Sequence, residues 1–296
     1  MVLKFTCEYH GKYFCGFQRQ QSHTSHDKHT QQKPSVQQCL EDALSKFFNQ
    51  KITISASGRT DAGVHAKGQV CSFITPEGYA RQLHPTSNKE NCPNHPPKYS
   101  QPHRAQEHAR TESHQPEHNP SDMLFKLATA LNAFLPEQVS VREFEIMPDT
   151  FNARHSVKSK TYTYKCYYAK HRSPLNDDFH NRLYIMPNIE HMIACIPHFL
   201  NTHDFTAFCS TKTDKENKVR TINHLDIATH DNKITFTITG NGFLRNMVRI
   251  IVGTLLDVGY GKITPEQIPE IIASKNRTLA GNTAPPHGLC LEHVEY

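Results

Sequence analysis

No run of about eighteen apolar residues occurs in this 296-residue chain, which excludes an apolar membrane-spanning helix. The N-terminus passes almost at once into the strand-like run Val2 to Tyr9, with no basic and apolar leader, so neither a signal peptide nor a transit peptide is expected. There is also no C-x-x-C pair, and the nine cysteines are odd in number and scattered. They read as reduced thiols of a cytoplasmic protein rather than as a disulfide framework or zinc site. A large excess of one charge is missing too. The net charge of +5 permits nucleic-acid binding without requiring it. Its distribution says more: between Arg154 and Arg182, seven basic residues stand against only Asp177 and Asp178. The length suffices for a sizeable core and for two domains.

Two stretches have few apolar residues. Ser22 to Lys33 and Gln82 to Ser121 are rich in His, Gln, Asn, Pro and Ser, and in the second only Leu83, Cys92, Tyr99, Ala105 and Ala109 are apolar. Such segments bury too little surface to offset ordering entropy and read as disordered inserts. The spacings of His23, His26 and His29, and of His114 and His118, suit a metal ion, but Pro116 argues against a helix under the second pair. Solvated inserts with adventitious nickel or zinc binding are the ordinary reading, and no physiological metal is expected.

With the inserts set aside, the first half reads strand 2–10, helix 35–49, strand 51–57, strand 67–75, helix 122–134 and strand 138–147. The second half reads strand 157–169, helix 189–201, strand 219–229, strand 232–240, helix 243–258, a helix near 264–274 and a last strand 289–295. Each order is the split β-α-β, ferredoxin-like pattern. The expected fold is α+β: two ferredoxin-like subdomains, residues 1–150 and 151–296, with their sheets side by side around a cleft.

Chemistry concentrates in Ser57 to Ala66 (SGRTDAGVHA), a glycine-bracketed loop between two strand-like runs that presents Asp61 and Arg59 at a sheet end. An Asp-Ala-Gly hairpin turn alone would be the ordinary reading of its centre. Lys158 to Tyr168 (KSKTYTYKCYY) interleaves lysines with tyrosines, a combination that suits phosphates and unstacked bases. For Tyr164, Tyr167 and Tyr168 core packing is the simpler role. In the helix from Phe243 to Val258, Leu244, Met247, Val248, Ile251 and Leu255 form an apolar stripe. Arg245 and Arg249 lie at i and i+4, on nearly one face, where nearby anions would relieve their repulsion.

The stretch GRTDAGVHA resembles the signature of the TruA-type tRNA pseudouridine synthases. Eight further stretches are similar to that family in the same order: Glu8 to Gln20, Ser35 to Leu44, Leu131 to Pro136, Phe151 to Arg154, Lys160 to Tyr164, His203 to Phe208, Gly242 to Gly253 and Thr283 to Tyr296. Lys12, where the family usually has a small hydroxyl residue, and the two polar inserts depart from the pattern. The resemblance implies an isomerase that turns uridine into pseudouridine at positions 38 to 40 of the tRNA anticodon stem-loop, without cofactor or metal, as a cytoplasmic homodimer. It further implies Asp61 as catalytic nucleophile and Tyr162 as the residue touching the target base. One helix arginine, preferentially Arg249, would pair with Asp61, and the other, Arg245, would meet RNA phosphate. Arg59 would hold the flipped nucleotide or fill its vacated space. The rival readings are a non-catalytic RNA-binding protein on the same scaffold and a related synthase with another RNA target.

Overall fold

A computed structural model describes residues 1–19, 33–83, 119–213 and 215–296. The histidine spacings of both inserts lie outside the described residues. The first half contains β1 (Val2–Tyr9), α1 (Val36–Phe48), β2 (Ser55–Ala56), β3 (His65–Ile74), α2 (Glu77–Leu83), α3 (Pro120–Phe134) and β4 (Val139–Met147). The second contains β5 (Ser159–Tyr168), β6 (Asn181–Leu183), α4 (Ile189–Ala194), α5 (Ile196–Phe199), β7 (Asn201–Asp204), β8 (Val219–His230), β9 (Lys233–Gly240), α6 (Met247–Gly259), α7 (Gln267–Ser274) and β10 (Leu289–Glu295).

The ten strands of the described residues belong to one sheet, with the path β4-β1-β3-β10-β5-β9-β8-β7, β2 on β3 and β6 on β5. Within it, β4-β1-β3-β2 and β10-β5-β9-β8 repeat the same fourth-first-third-second order of the split β-α-β unit. The two sets meet where β3 runs parallel to β10, with His65 opposite Cys290 and Ala66 opposite Leu291. Farther along, β3 changes neighbour on that side, and Ser72 and Cys71 pair with Ser55 and Ala56 of β2. Gly68 lies between these two pairings. A Cβ there would stand 2.3 Å from the Glu292 carbonyl, so only glycine lets the strands approach.

Period-two alternation puts Leu3, Phe5 and Cys7 of β1 and Ile234, Phe236 and Ile238 of β9 in the core. Ser35 caps α1 by accepting the Gln38 N–H, and Asn49 ends it in the left-handed conformation. α6 is apolar beyond a single stripe: Ile250, Val252 and Val258 are buried together with Met247, Val248, Ile251 and Leu255.

Several boundaries differ from the sequence expectations. The strand expected at 51–57 is reduced to Ser55–Ala56 because Ile52 N–H donates to Ser45 Oγ (2.9 Å) and Ile54 N–H to Glu41 Oε1 (3.3 Å). Side chains of α1 thus take amides that a ladder would need. The helix expected at 189–201 breaks into α4 and α5 and then becomes β7, with Pro197 in the first turn of α5 and Asn201 at φ 72°. The second insert is shorter than its composition suggests. Gln82 and Leu83 close α2, Asn119 caps α3 by accepting the Ser121 N–H, and Leu83 is fully buried. An isolated leucine in a polar stretch gives no periodicity to read. Leu83→Ala should therefore destabilise the protein by roughly 2–5 kcal/mol, measured by urea unfolding; a change below about 0.5 kcal/mol would show that α2 is not packed.

Candidate active site

The loop from Ser57 to Val64 leaves β2 and enters β3 beside the β3–β10 junction. Both of its first carbonyls are held: Lys160 Nζ donates to Ser57 O (2.6 Å) and Gln69 Nε2 to Gly58 O (2.9 Å). The Ser57 N–H donates to Val70 O at 2.8 Å. In mid-loop the Tyr9 hydroxyl and Thr60 Oγ1 share a hydrogen bond of 2.7 Å, and the Thr60 carbonyl accepts the Phe17 N–H at 3.1 Å. The turn closes through Val64 N–H to Asp61 O (3.1 Å), with Gly63 at φ +80°. The backbone on both sides of Asp61 is thus fixed, while its carboxylate stays one-third exposed, at 33%.

Arg249 Nη1 stands 3.4 Å from Asp61 Oδ2. The same guanidinium donates through Nε to Ala284 O (2.7 Å) and through Nη1 to Asn246 Oδ1 (3.1 Å). Its position is therefore set by acceptors other than the carboxylate. At 3.4 Å the ion pair is longer than the roughly 2.7–2.9 Å of a tight charge-assisted bond, which leaves carboxylate oxygens free to meet another group.

Alternation along β5 puts Lys160, Tyr162 and Tyr164 on one face. Tyr162 is buried with its ring edge-on to Phe243 at 5.3 Å. Burial, and then the charge of Asp61, push its phenol above the usual range, so it is a neutral hydroxyl. Tyr164 is fully buried and donates to Pro285 O (2.9 Å), next to the Ala284 carbonyl that holds Arg249. One strand face thus touches the loop start, the surroundings of the carboxylate and the turn that fixes its counter-ion.

Arg59 and Arg245 are both exposed. The shared helical face expected for Arg245 and Arg249 is not formed, because α6 begins only at Met247 and Asn246 adopts φ 63°. The Arg245 carbonyl accepts the Ser210 N–H (3.0 Å) instead of entering the helical ladder. Its guanidinium lies 3.5 Å from the Lys212 carbonyl and shares no partner with that of Arg249 among the described residues. Sequence reasoning passed over Gln69, Tyr9 and Ala284, and read Lys160 only as one of the phosphate-suited lysines of its strand. Lys160 had a signal, since it stands two residues before Tyr162 in an alternating strand. Ala284 had none, because it acts through its backbone carbonyl.

A family profile described as tRNA pseudouridine synthase matches residues 7–154 and 196–296. The chain belongs to the tRNA pseudouridine synthase family. It is 38% identical over 295 residues to tRNA pseudouridine synthase A 1 of Bacillus cereus, covering 99% of this chain and 98% of the relative. It is 37% identical over 298 residues to tRNA pseudouridine synthase A of Bacillus subtilis, covering 100% of this chain and 99% of the relative. A similar protein of Anoxybacillus flavithermus, also named tRNA pseudouridine synthase A, is 38% identical over 295 residues, 99% of this chain and 98% of the relative.

Behind the loop, His65 opens β3 with its Nδ1 accepting the Gly11 N–H at 3.1 Å, which puts the proton of the neutral ring on Nε2. The ring packs against His10 and Phe179 at 4.8 and 4.9 Å. Burial, and then His10, lower its pKa to about 4. The unfolded chain, titrating near the ordinary histidine value of about 6.5, binds this proton first as pH falls. Stability should therefore decline between pH of about 6.5 and 4, followed by urea titration at several pH values, and His65→Gln should flatten that slope. An unchanged slope in the variant would assign the acid sensitivity to other groups.

Proposed function

We propose that this protein isomerises uridine to pseudouridine in tRNA, with Asp61 as the catalytic group, at positions 38 to 40 of the anticodon stem-loop. The observation that carries this reading is the one-third-exposed Asp61 carboxylate, fixed by its loop and 3.4 Å from an arginine anchored elsewhere. In the reaction the bond from ribose C1′ to uracil N1 breaks and a bond from C1′ to C5 forms. A proton leaves C5 and one is gained at N1, so no redox partner or energy input is required. A carboxylate can serve such an anomeric centre as nucleophile, with the Arg249 guanidinium 3.4 Å away as its counter-ion. The neutral, buried Tyr162 provides an aromatic edge against which the detached base can be retained. A base within a stem cannot reach Asp61, so the nucleotide is flipped outward. Exposed Arg59, two residues before Asp61, fits the role of holding the flipped position.

Exposed Arg245, together with Lys212, Lys218 and Arg220 near the same bend, suits phosphates of the stem. The two split β-α-β units, 1–150 and 151–296, then act as two domains flanking the substrate cleft. A cytoplasmic homodimer fits the family likeness, and the exposed Tyr184, Ile185 and Met186 after β6 offer apolar surface to a second copy.

Asp61→Asn and Asp61→Ala should abolish pseudouridine formation, scored by chemical mapping of tRNA, while tRNA affinity stays within about tenfold because binding rests on basic surface. Full activity in either variant overturns the assignment. Arg249→Ala should depress single-turnover rate with little change in affinity. Arg245→Ala should weaken binding and reduce the salt slope of log affinity by about one unit. The reverse pattern would exchange the two roles.

A further inference from the structure

Lys160 takes no part in the chemistry outlined above, yet it reaches from β5 across the junction to the first residues of the Asp61 loop. Its Nζ donates to the Ser57 carbonyl at 2.6 Å, a contact between residues 103 positions apart. The next carbonyl, that of Gly58, is taken by Gln69 Nε2 at 2.9 Å, and Gln69 itself is fully buried on β3. Two consecutive carbonyls at the loop start are thus held by side chains from the two halves of the sheet. Ser57 is also buried, and its N–H is committed to Val70 O. The peptide from which the loop departs has little freedom left.

Gly58 reports how close the lysine comes. A Cβ on this residue would lie 2.6 Å from Lys160 Nζ, and its backbone does not occupy the left-handed region. Glycine is needed here for space alone, and the atom in the way is the movable end of a side chain. Two residues along β5, on the same face, Tyr162 lies beside Asp61. A strand rises about 3.3 Å per residue, so β5 sets the spacing between the loop start and the wall of the site.

We propose that Lys160 is a positioning residue for the isomerisation: its ammonium, through the Ser57 carbonyl, fixes where the loop places the Asp61 carboxylate relative to Tyr162. This rests on the catalytic reading of Asp61. An ammonium retained in such a place needs a reason. Burial, and then the nearby charge of Arg154, lower its pKa to about 8, and among the described residues no carboxylate pairs with it. The Ser57 carbonyl is its hydrogen-bond acceptor, so the desolvated charge strengthens this one bond. Exposed Arg59 lies beyond Gly58, and Glu295 on β10 is engaged by Ser159 Oγ (2.7 Å).

A rival role for the same ammonium is a direct RNA phosphate contact, and the two separate cleanly in measurement. Lys160→Met should lower the single-turnover rate at saturating tRNA by roughly ten- to hundredfold, the scale of a misplacement of about 1 Å. Its tRNA Kd should stay within about twofold and the salt slope should be unchanged. Gly58→Ala displaces the ammonium while leaving it in the protein, so it should fold normally and show the same rate loss. It also tests the contact if Lys160→Met fails to fold. The double variant should be no slower than the slower single one, because both changes break one contact. Wild-type turnover in Gly58→Ala overturns the proposal. So does a Lys160→Met defect that appears as weaker binding with a salt slope reduced by about one unit, which would assign Lys160 to phosphate. Asp61→Asn, assayed in parallel, keeps the two claims apart. Activity in that variant defeats the catalytic reading itself, whereas an inactive Asp61→Asn beside a fully active Lys160→Met defeats only the role given to Lys160.

Discussion

The parallel pairing of β3 with β10 is the constraint on which the site depends. Two backbone positions, His65 opposite Cys290 and Ala66 opposite Leu291, turn two four-stranded patterns into one sheet. Because the Asp61 loop ends at Val64, immediately before that pairing, it is delivered to the side chains of β5, the next strand beyond β10. The junction is confined to these few residues because β3 must also receive β2 farther along, and Gly68 makes the exchange of neighbours sterically possible.

Around this junction, the polar contacts follow from the cost of burying charge. Arg249 is only 14% exposed, and a guanidinium in such a place requires acceptors for its donors. It finds them in Ala284 O and Asn246 Oδ1 as well as in Asp61. The pairing with Asp61 is not needed to hold the arginine in place, so the carboxylate can be both oriented and available. The acceptors themselves are set by packing. The Ala284 N–H returns a hydrogen bond to the Arg249 carbonyl (3.1 Å), and a Cβ on Gly253, one turn further along α6, would lie 1.7 Å from the Asn282 carbonyl. Close approach of the 280–286 turn to α6 thus fixes the counter-ion, and Tyr164 ties the same turn to β5.

A second set of contacts ties the back of the loop to the segment that carries Asp177 and Asp178. Lys12 bonds Asp178 Oδ1 at 2.6 Å, and His10 stands 3.7 Å from the other carboxylate oxygen. Phe179 packs on both His10 and His65. This lysine therefore ties the first half of the chain to a carboxylate of the second.

The sequence by itself determined most of the element types, the repeated split β-α-β order and the prominence of Asp61, because alternation, capping residues and a glycine-bracketed loop are local signals. Its errors also have local causes. Lys51 to Ile54 alternates like a strand, but two of its amides are claimed by Ser45 and Glu41, side chains that pattern cannot bring near. Phe243 to Asn246 has helical spacing, but the Arg245 carbonyl is bonded to Ser210 in a distant loop and the helix starts later. Only the tertiary structure decided that Arg249, rather than Arg245, lies 3.4 Å from Asp61, a contact 188 residues apart in the chain. Only it brought Lys160 to the Ser57 carbonyl. Both depend on strand register and on a backbone carbonyl's direction, which residue identity does not encode locally because every residue carries the same carbonyl.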